Sequence, residues 1–169
     1  MKTTNFRMLC ACLFAFSVIA TLVAIFYFQR HLGLEPCPLC IFQRIGVWIM
    51  GVFAFIGMLI NPKKLWAKLT LWGGMTLGVL WGFAIAGRHV WLQHLPADEV
   101  PACGPGLNYW VDTLPVLQVF QEVLKGSGEC AKIDWQFLGF SIPEYTLAMF
   151  VVFLTMLLFG FFKIIKKPT

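Results

Sequence analysis

Two cysteines separated by Pro38 and Leu39 carry the clearest chemical signal in the sequence. Cys37 and Cys40 stand just before a long apolar run, and two cysteines three residues apart at the start of a helix lie within disulfide reach. Closing so short a loop constrains little of the unfolded chain, so stabilisation alone explains the pair poorly. A helix N-terminus also favours the thiolate over the thiol. The pair therefore indicates redox chemistry more strongly than metal binding.

A second pair, Cys103 and Cys130, lies further along the chain in a more polar region. In isolation such a pair is typical of a structural disulfide in an oxidising compartment. Glycine and proline surround both positions, at 104–106 and 126–128, which predicts that both sites are mobile and exposed. Because Cys103 and Cys130 are predicted to be exposed and the protein also contains the Cys37–Cys40 redox pair, thiol–disulfide exchange is favoured over a purely structural disulfide.

Zinc binding by Cys37, Cys40, Cys103 and Cys130 is the alternative for these thiols. Structural zinc sites usually combine two closely spaced ligand pairs, and here the second pair is widely split. We therefore predict no metal site. Two further cysteines, at positions 10 and 12, are predicted to be inert thiols within an apolar run.

Arg44 lies four residues after Cys40 and seven after Cys37, which on a helix places it on nearly the same face. An arginine at the edge of an apolar run is costly and indicates function, although snorkelling to lipid headgroups is the structural alternative. Its charge suits both a thiolate and the carbonyl oxygen of an oxidant. His89, at the end of a later apolar run, is expected to hydrogen-bond the same ligand, although an interfacial histidine is ordinarily only solvated. Arg44 and His89 are therefore the predicted cofactor-binding residues.

The rest of the sequence must hold these groups in a membrane. The 169-residue chain is 59% hydrophobic and 12% charged, with a mean hydropathy of +0.78. Soluble proteins average roughly 25% charged residues. Four apolar runs are long enough to cross a bilayer as helices, and they predict spans at about 8–28, 41–60, 69–87 and 145–163. We predict one membrane domain over residues 1–169, an all-α antiparallel bundle of four transmembrane helices.

The charges predict the orientation of this bundle. The basic residues at both termini and in the short loop between the second and third spans stand without acidic neighbours, whereas all acidic residues lie in the loops at about 29–40 and 88–144. Basic residues near span ends mark the cytoplasmic face. Both termini are therefore predicted to be cytoplasmic and the redox cysteines external. The net positive charge therefore reflects membrane topology. The sequence shows no basic cluster with interleaved aromatic residues that would indicate nucleic-acid binding.

The long outer loop contains an amphipathic segment, Val116–Lys125. Its apolar residues share one helical face, Pro115 suits a first turn, and Gly126 suits a C-terminal cap. The segment is predicted to form a short helix that lies on the outer leaflet, caps the bundle, or does both. In the third span, Gly74, Gly78 and Gly82 recur every four residues and predict close helix packing.

An external redox pair that turns over needs an electron acceptor. The sequence has neither a GxGxxG dinucleotide motif nor a haem Cys-x-x-Cys-His motif. A lipid-soluble quinone requires no such motif and reaches a site at the outer boundary of the hydrocarbon, beside Cys40 and Arg44. We therefore predict a membrane quinone as the cofactor.

These features together resemble the DsbB family of disulfide-forming inner-membrane proteins over essentially the whole chain. The resemblance rests on Cys37-Pro-Leu-Cys40 with Gln43-Arg44, on Arg88-His89-Val-Trp-Leu-Gln93, on Cys103 and Cys130, and on Trp135-Gln-Phe-Leu-Gly139 running to Pro143.

The resemblance implies a protein-disulfide:quinone oxidoreductase in the bacterial inner membrane. Cys103 and Cys130 would form a disulfide that a periplasmic DsbA-like thioredoxin-fold protein attacks at Cys103. Cys130 would then exchange with the Cys37–Cys40 disulfide, and the Cys40 thiolate would donate to bound ubiquinone or menaquinone, supported by Arg44 and assisted by His89.

Two alternatives stay open at this point. One is a membrane scaffold in which both cysteine pairs form structural disulfides. The other is an exporter of reductant, for which only Cys10 and Cys12 are available as an inward-facing donor pair, with a spacing that suits a disulfide poorly.

Overall fold

A computed structural model describes residues 3–96, 98–104 and 107–166. Helix α1 (Thr3–Leu22) continues as a π-helical segment, Val23–His31, and is followed by α2 (Pro38–Ile60) and α3 (Leu65–Gln93). Three short helices then cross the loop region: α4 (Leu107–Thr113), α5 (Val116–Lys125) and α6 (Gly128–Ala131). A two-stranded antiparallel hairpin, β1 (Gln136–Phe137) and β2 (Phe140–Ser141), leads into α7 (Ile142–Lys166).

Among the described residues, four helices are long and apolar enough to cross a membrane, and they span Phe6–His31, Pro38–Ile60, Leu65–Gln93 and Ile142–Phe162. Helix α2 packs between α1 and α3, while α7 packs on α3 and contacts α1, which closes a four-helix bundle. The predicted all-α membrane fold is confirmed. The α2 and α3 helices continue past the predicted apolar runs into Cys40 and His89, so both functional positions belong to rigid helices.

Close contact between α2 and α3 depends on glycine, as the four-residue repeat predicted. A Cβ atom at Gly46 would lie 2.7 Å from the Gly78 carbonyl oxygen, and one at Gly78 would lie 2.7 Å from the Met50 backbone nitrogen. A Cβ atom at Gly82 would overlap the ring of Phe150, which is fully buried on α7. These glycines let the two helix backbones touch just below the cysteines.

We expect Gly82→Ala to lower the thermal unfolding midpoint in detergent, whereas the matched change Gly73→Ala leaves it unchanged or raises it. Overpacking costs about 1–3 kcal/mol, and this exceeds the gain of up to about 1 kcal/mol from replacing a helical glycine. Gly73 lies on the same helix with nothing within 4 Å of its would-be Cβ. Equal shifts for the two variants would contradict this account of the packing.

The predicted amphipathic helix forms as α5, with the predicted bounds. Val119 and Val123 are buried in a cluster with Leu39 of α2 and Leu92 of α3, so α5 caps the cysteine end of the bundle. Arg88 on α3 holds its C-terminal end by donating hydrogen bonds to the carbonyl oxygens of residues 124 and 125, at 3.0 and 2.9 Å. The first turn of α5, residues 116–117, is 72% and 71% exposed, and its contact with the outer leaflet remains a prediction.

The β hairpin is an element that the sequence analysis did not predict. Its turn residues, Leu138 and Gly139, have φ values of 51° and 85°, as a two-residue hairpin of the type I′ class requires. Tyr145 of α7 donates a hydrogen bond to the Phe137 carbonyl oxygen at 2.8 Å. Trp135, just before β1, packs edge-on against Phe28 at a ring distance of 5.2 Å. The hairpin therefore closes the gap between α1 and α7 next to the second helix.

Candidate active site

The Cys37–Cys40 pair lies at the N-terminus of α2. Cys37 is the N-cap residue with extended backbone, and Pro38 occupies the first helical position, where its missing N–H costs nothing. The two Sγ atoms are 3.3 Å apart, both as thiols. A two-electron oxidant would therefore close a disulfide here after only a small shift, and the pair lies at the positive end of the α2 helix dipole.

The loop cysteine Cys130 lies against this pair. It sits on α6, is fully buried, and accompanies Ser127, whose Oγ is 3.7 Å from the Cys130 Sγ. The Sγ atoms of Cys37 and Cys130 and a ring nitrogen of His89 all lie within 4.8 Å of one another. Packing of α6 on α3 therefore brings Cys130 next to the Cys37–Cys40 pair.

His89 lies at the centre of the sulfur cluster and is only 3% exposed. Its Nε2 donates a hydrogen bond to the Cys130 carbonyl oxygen at 3.0 Å and is 3.8 Å from the Cys37 Sγ. Its Nδ1 is 4.0 Å from the Cys40 Sγ and accepts a hydrogen bond from the Gln43 amide at 3.1 Å. The imidazole thus touches Cys37, Cys40 and Cys130, and these sulfur contacts were not expected from the sequence.

Cys103, in contrast, is exposed. Its segment lies against the start of α6, because a Cβ atom at Gly128 would be 2.9 Å from the Cys103 Sγ, and the Gly128 N–H donates to the Ala102 carbonyl oxygen at 3.4 Å. The prediction that both loop cysteines are exposed is therefore confirmed for Cys103 and wrong for Cys130. Glycines before Cys130 bend the chain inward, toward α3, instead of leaving it free.

Burial and pairing alter the chemistry of Cys130. The pKa of its thiol lies well above the ordinary range, first because the thiol interacts with the Cys37 side chain and second because it is buried. The neutral thiol is therefore favoured at neutral pH, and Cys130 is a poor nucleophile until a change at Cys37 or in its own exposure releases it.

In the fully reduced protein we expect iodoacetamide to alkylate Cys103 at least about a hundredfold faster than Cys130 at neutral pH, because Cys103 is exposed, whereas Cys130 is buried and its raised pKa keeps it as the unreactive neutral thiol. The rate at Cys130 should rise with increasing pH, because its raised pKa leaves the thiol neutral at pH 7. Replacing Cys37 with alanine should accelerate Cys130, since Cys37 is the largest cause of the shift. Peptide mass spectrometry after timed quenching measures both rates, and equal rates would contradict the prediction.

Beside Cys40 opens an apolar cavity of about 470 Å³. It is enclosed by α1, its π-helical continuation, α2, the hairpin region and α7. Cys40, Gln43 and Arg44 contribute its polar wall, and Trp135 and Tyr145 form part of its outer edge. The Arg44 Nη1 donates a hydrogen bond to the Gln29 Oε1 at 2.8 Å. A guanidinium fixed in this way faces apolar space next to a sulfur.

A second, smaller cavity of about 60 Å³ also reaches Cys40. Cys37, Cys40 and His89 line it together with acidic residues of the loops, among them Glu129 and Asp134. Cys40 therefore borders both cavities, whereas His89 lines the smaller one. The predicted contact of His89 with a quinone stays a prediction.

Sequence reasoning missed Gln29 as the partner of Arg44 and gave Gln43 only a minor place. Both are polar residues inside or at the edge of apolar spans, and that is the signal that marks them. Gln43 is 4% exposed, and its amide is satisfied by His89. The motif that contains Trp135 does not place its side chain, and its position at the cavity depends on the hairpin.

Comparison with known proteins gives one consistent family. The model of the family "Disulfide bond formation protein DsbB" matches residues 6–160. Disulfide bond formation protein B of Psychrobacter cryohalolentis is 52% identical over 169 residues, which cover 100% of this chain and 96% of that protein. The protein of the same name from Acinetobacter baumannii is 48% identical over 164 residues, with 94% and 92% of the two chains covered.

The matched region contains both cysteine pairs together with Arg44 and His89, and it includes all four helices able to cross a membrane except the end of the last. The resemblance inferred from the motifs is confirmed. The chain therefore belongs to the DsbB family and is a multi-pass membrane oxidoreductase of disulfide bond formation.

Proposed function

We propose that this protein reoxidises a periplasmic DsbA-like thioredoxin-fold protein and passes the electrons to a membrane quinone. The observation that carries the proposal is the position of Cys40. Its sulfur borders the buried sulfur cluster on one side and the apolar cavity with Arg44 on the other. Electrons that arrive by disulfide exchange therefore have a short route into a site that suits a lipid-soluble acceptor.

The first exchange uses the exposed cysteine. A thiolate of the reduced DsbA-like protein attacks Cys103 in the Cys103–Cys130 disulfide, forms a mixed disulfide and releases Cys130 as a thiolate. The second thiolate of the DsbA-like protein then attacks its own sulfur in that mixed disulfide, which frees Cys103 and leaves the DsbA-like protein oxidised. Exposure of Cys103 supports its role as the attacked sulfur.

The second exchange transfers the two electrons inward. Cys130 attacks Cys37 in the Cys37–Cys40 disulfide, and Cys40 leaves as a thiolate. The proximity of the Cys130 and Cys37 sulfurs supports Cys37 as the target. Cys103 then attacks Cys130 in the new disulfide, restoring the Cys103–Cys130 disulfide and leaving Cys37 reduced. His89 hydrogen-bonds the Cys130 backbone and contacts the sulfurs, so we assign it to orient the exchange and to carry a proton between them.

The cavity fits a quinone on its own features. It is mostly apolar, it opens between helices that face lipid, and its polar wall holds a guanidinium and an amide beside the Cys40 sulfur. When bound, a quinone supplies the two-electron acceptor that restores the Cys37–Cys40 disulfide. Arg44 would bind a carbonyl oxygen of the ring and stabilise the neighbouring Cys40 thiolate by charge. Gln29 holds the guanidinium in place for this contact.

The orientation follows from the charge distribution. Basic residues without acidic neighbours gather at the end of the bundle opposite the cysteines. We assign that end, with both termini, to the cytoplasm of a bacterium, and the end with the cysteines to the periplasm. The membrane is then the inner membrane, where disulfides formed on the outer side persist.

The test is quinone reduction by the purified, oxidised protein after addition of a reduced DsbA-like protein. We expect sustained turnover with ubiquinone or menaquinone analogues. The decrease in quinone absorbance measures it. The same samples, quenched with an alkylating mass tag, should show the Cys103–Cys130 disulfide opening before the Cys37–Cys40 disulfide. Two disulfides that never exchange, in folded protein and with several quinones, would overturn the proposal in favour of a structural scaffold.

A further inference from the structure

Three ligating atoms from different parts of the chain meet at one buried point. The Sγ atoms of Cys37 and Cys130 and a ring nitrogen of His89 lie within 4.8 Å of one another, and the distance from the Cys37 Sγ to the His89 Nε2 is 3.8 Å. A tetrahedral zinc ion with bonds of about 2.3 Å to sulfur and about 2.0 Å to nitrogen separates its ligands by roughly 3.5–3.8 Å. Small side-chain rotations therefore place all three atoms around one ion.

A hydrogen-bonding partner stands behind the histidine. Gln43 is buried, and its amide contacts His89 Nδ1 at 3.1 Å. With the amide turned and the imidazole in its other tautomer, the Gln43 Oε1 accepts a hydrogen bond from Nδ1–H. The Nε2 lone pair is then free for a metal, in exchange for the hydrogen bond to the Cys130 carbonyl. A ligating histidine usually donates its second N–H to such a partner.

An acidic approach leads to the same point. The cavity of about 60 Å³ beside Cys37 and His89 is lined by Glu35, Glu129 and Asp134, with Lys132 as the opposing charge. Lys132 is itself paired with Asp134 at 3.0 Å. The carboxylates that line the cavity therefore attract a divalent cation, and the thiols and imidazole next to the cavity are suitable ligands for it.

We propose that the reduced protein binds one thiophilic divalent cation, of the Zn²⁺ class, through Cys37, His89 and Cys130. A water molecule completes the tetrahedron, as in zinc sites with three protein ligands. Each thiol releases a proton on binding, and no electron moves. The ligand set differs from the four cysteines considered from the sequence, because His89 replaces Cys40 and Cys103.

The site exists in one redox state only. A Cys37–Cys40 disulfide removes one sulfur ligand, and a Cys103–Cys130 disulfide removes the other. The cation therefore binds reduced protein and holds it reduced. This binding does not depend on the proposed electron route, whereas inhibition of turnover by the cation rests on that proposed function.

The test measures binding directly. Protein reduced with a phosphine and kept anaerobic in detergent is titrated with Zn²⁺ against a chromophoric chelator, and with Co²⁺ to record sulfur-to-cobalt charge-transfer absorption. We expect one ion per chain in the reduced protein and at least a hundredfold weaker binding after oxidation.

Variants separate this site from other thiol sites. Cys37→Ser, Cys130→Ser and His89→Ala should each weaken binding by more than the 10–100-fold loss typical of an outer-shell change, and Gln43→Ala should cost about 10–100-fold. Cys103→Ser and Cys12→Ser should bind as the unaltered protein does. Far-ultraviolet circular dichroism confirms that each variant is folded.

Two results would overturn the proposal. One is full binding in Cys130→Ser or His89→Ala, and the other is loss of binding in Cys103→Ser, which would indicate the four-cysteine site. Binding that follows the expected pattern in a protein without quinone reductase activity would leave the metal site standing and remove only the proposed electron route. With activity present, added Zn²⁺ should stop turnover, and a chelator should restore it.

Discussion

Replacing Cys40 with serine is expected to lower quinone-dependent turnover at least about a thousandfold, as for the loss of an essential nucleophile. Among the described residues, Cys40 is the one cysteine that lines the apolar cavity. A serine hydroxyl cannot form a disulfide with Cys37. It therefore cannot be released as a thiolate that donates electrons to the quinone. The measurement is quinone absorbance after addition of a reduced DsbA-like protein.

The same variant separates the two halves of the reaction. Cys103 and Cys130 remain, so a single stoichiometric exchange with the DsbA-like protein should proceed, and alkylation with a mass tag detects it. Serine at Cys12 is the matched control, because that side chain is exposed on α1 and outside the redox set. Alanine at both Cys10 and Cys12 should also leave turnover intact, which excludes electron export through that pair. Full turnover in Cys40→Ser would refute the electron route.

Replacing Arg44 with glutamine is expected to raise the KM for quinone about 10–100-fold. A hydrogen bond to a charged group contributes about 1.5–3 kcal/mol, and each 1.4 kcal/mol corresponds to a tenfold change in affinity. The guanidinium lines the cavity beside Cys40 and is fixed by Gln29. The measurement is the dependence of the initial rate on quinone concentration in detergent micelles.

Arg30→Gln provides the control for a lost positive charge near the same end of α1. The Arg30 guanidinium lies over the Phe26 ring, with its carbon 5.0 Å from the ring centre, and it is exposed. Gln29→Leu should raise the KM in the same direction as Arg44→Gln but less, since it frees the guanidinium without removing it. An unchanged KM in Arg44→Gln, with unchanged single exchange between the cysteines, would assign Arg44 to packing or snorkelling.

His89 connects the exchange chemistry and the metal-site proposal. It contacts the Cys37 and Cys40 sulfurs, lies within 4.8 Å of the Cys130 sulfur, and is satisfied by the Cys130 carbonyl and the Gln43 amide in a single tautomer. In the two proposals it orients the loop and the helix for exchange in the oxidised protein, and it would add a third ligand to two thiols in the reduced protein. A buried histidine in such contacts serves both roles without moving far, because α3 holds it rigidly beside α2.

The sequence by itself determined the membrane fold and the chemical inventory. Each apolar run must be helical, because backbone groups in hydrocarbon have no other partner. The amphipathic pattern of residues 116–125 likewise predicted α5 with correct bounds, because a helical period of 3.6 residues is visible locally. The spacing of Cys37 and Cys40 before a helix indicated a redox pair for the same reason: all the information lies within one turn.

Only the tertiary structure decided which groups meet. The burial of Cys130 beside Cys37, the position of His89 between the sulfurs and the bond from Gln29 to Arg44 join residues far apart in sequence. No period or local motif encodes such contacts. They depend on the path of the long loop, on the packing of α5 and α6 against α3, and on the glycine contacts that bring α2 and α3 together. The hairpin that closes the cavity is also too short to show a strand pattern in the sequence.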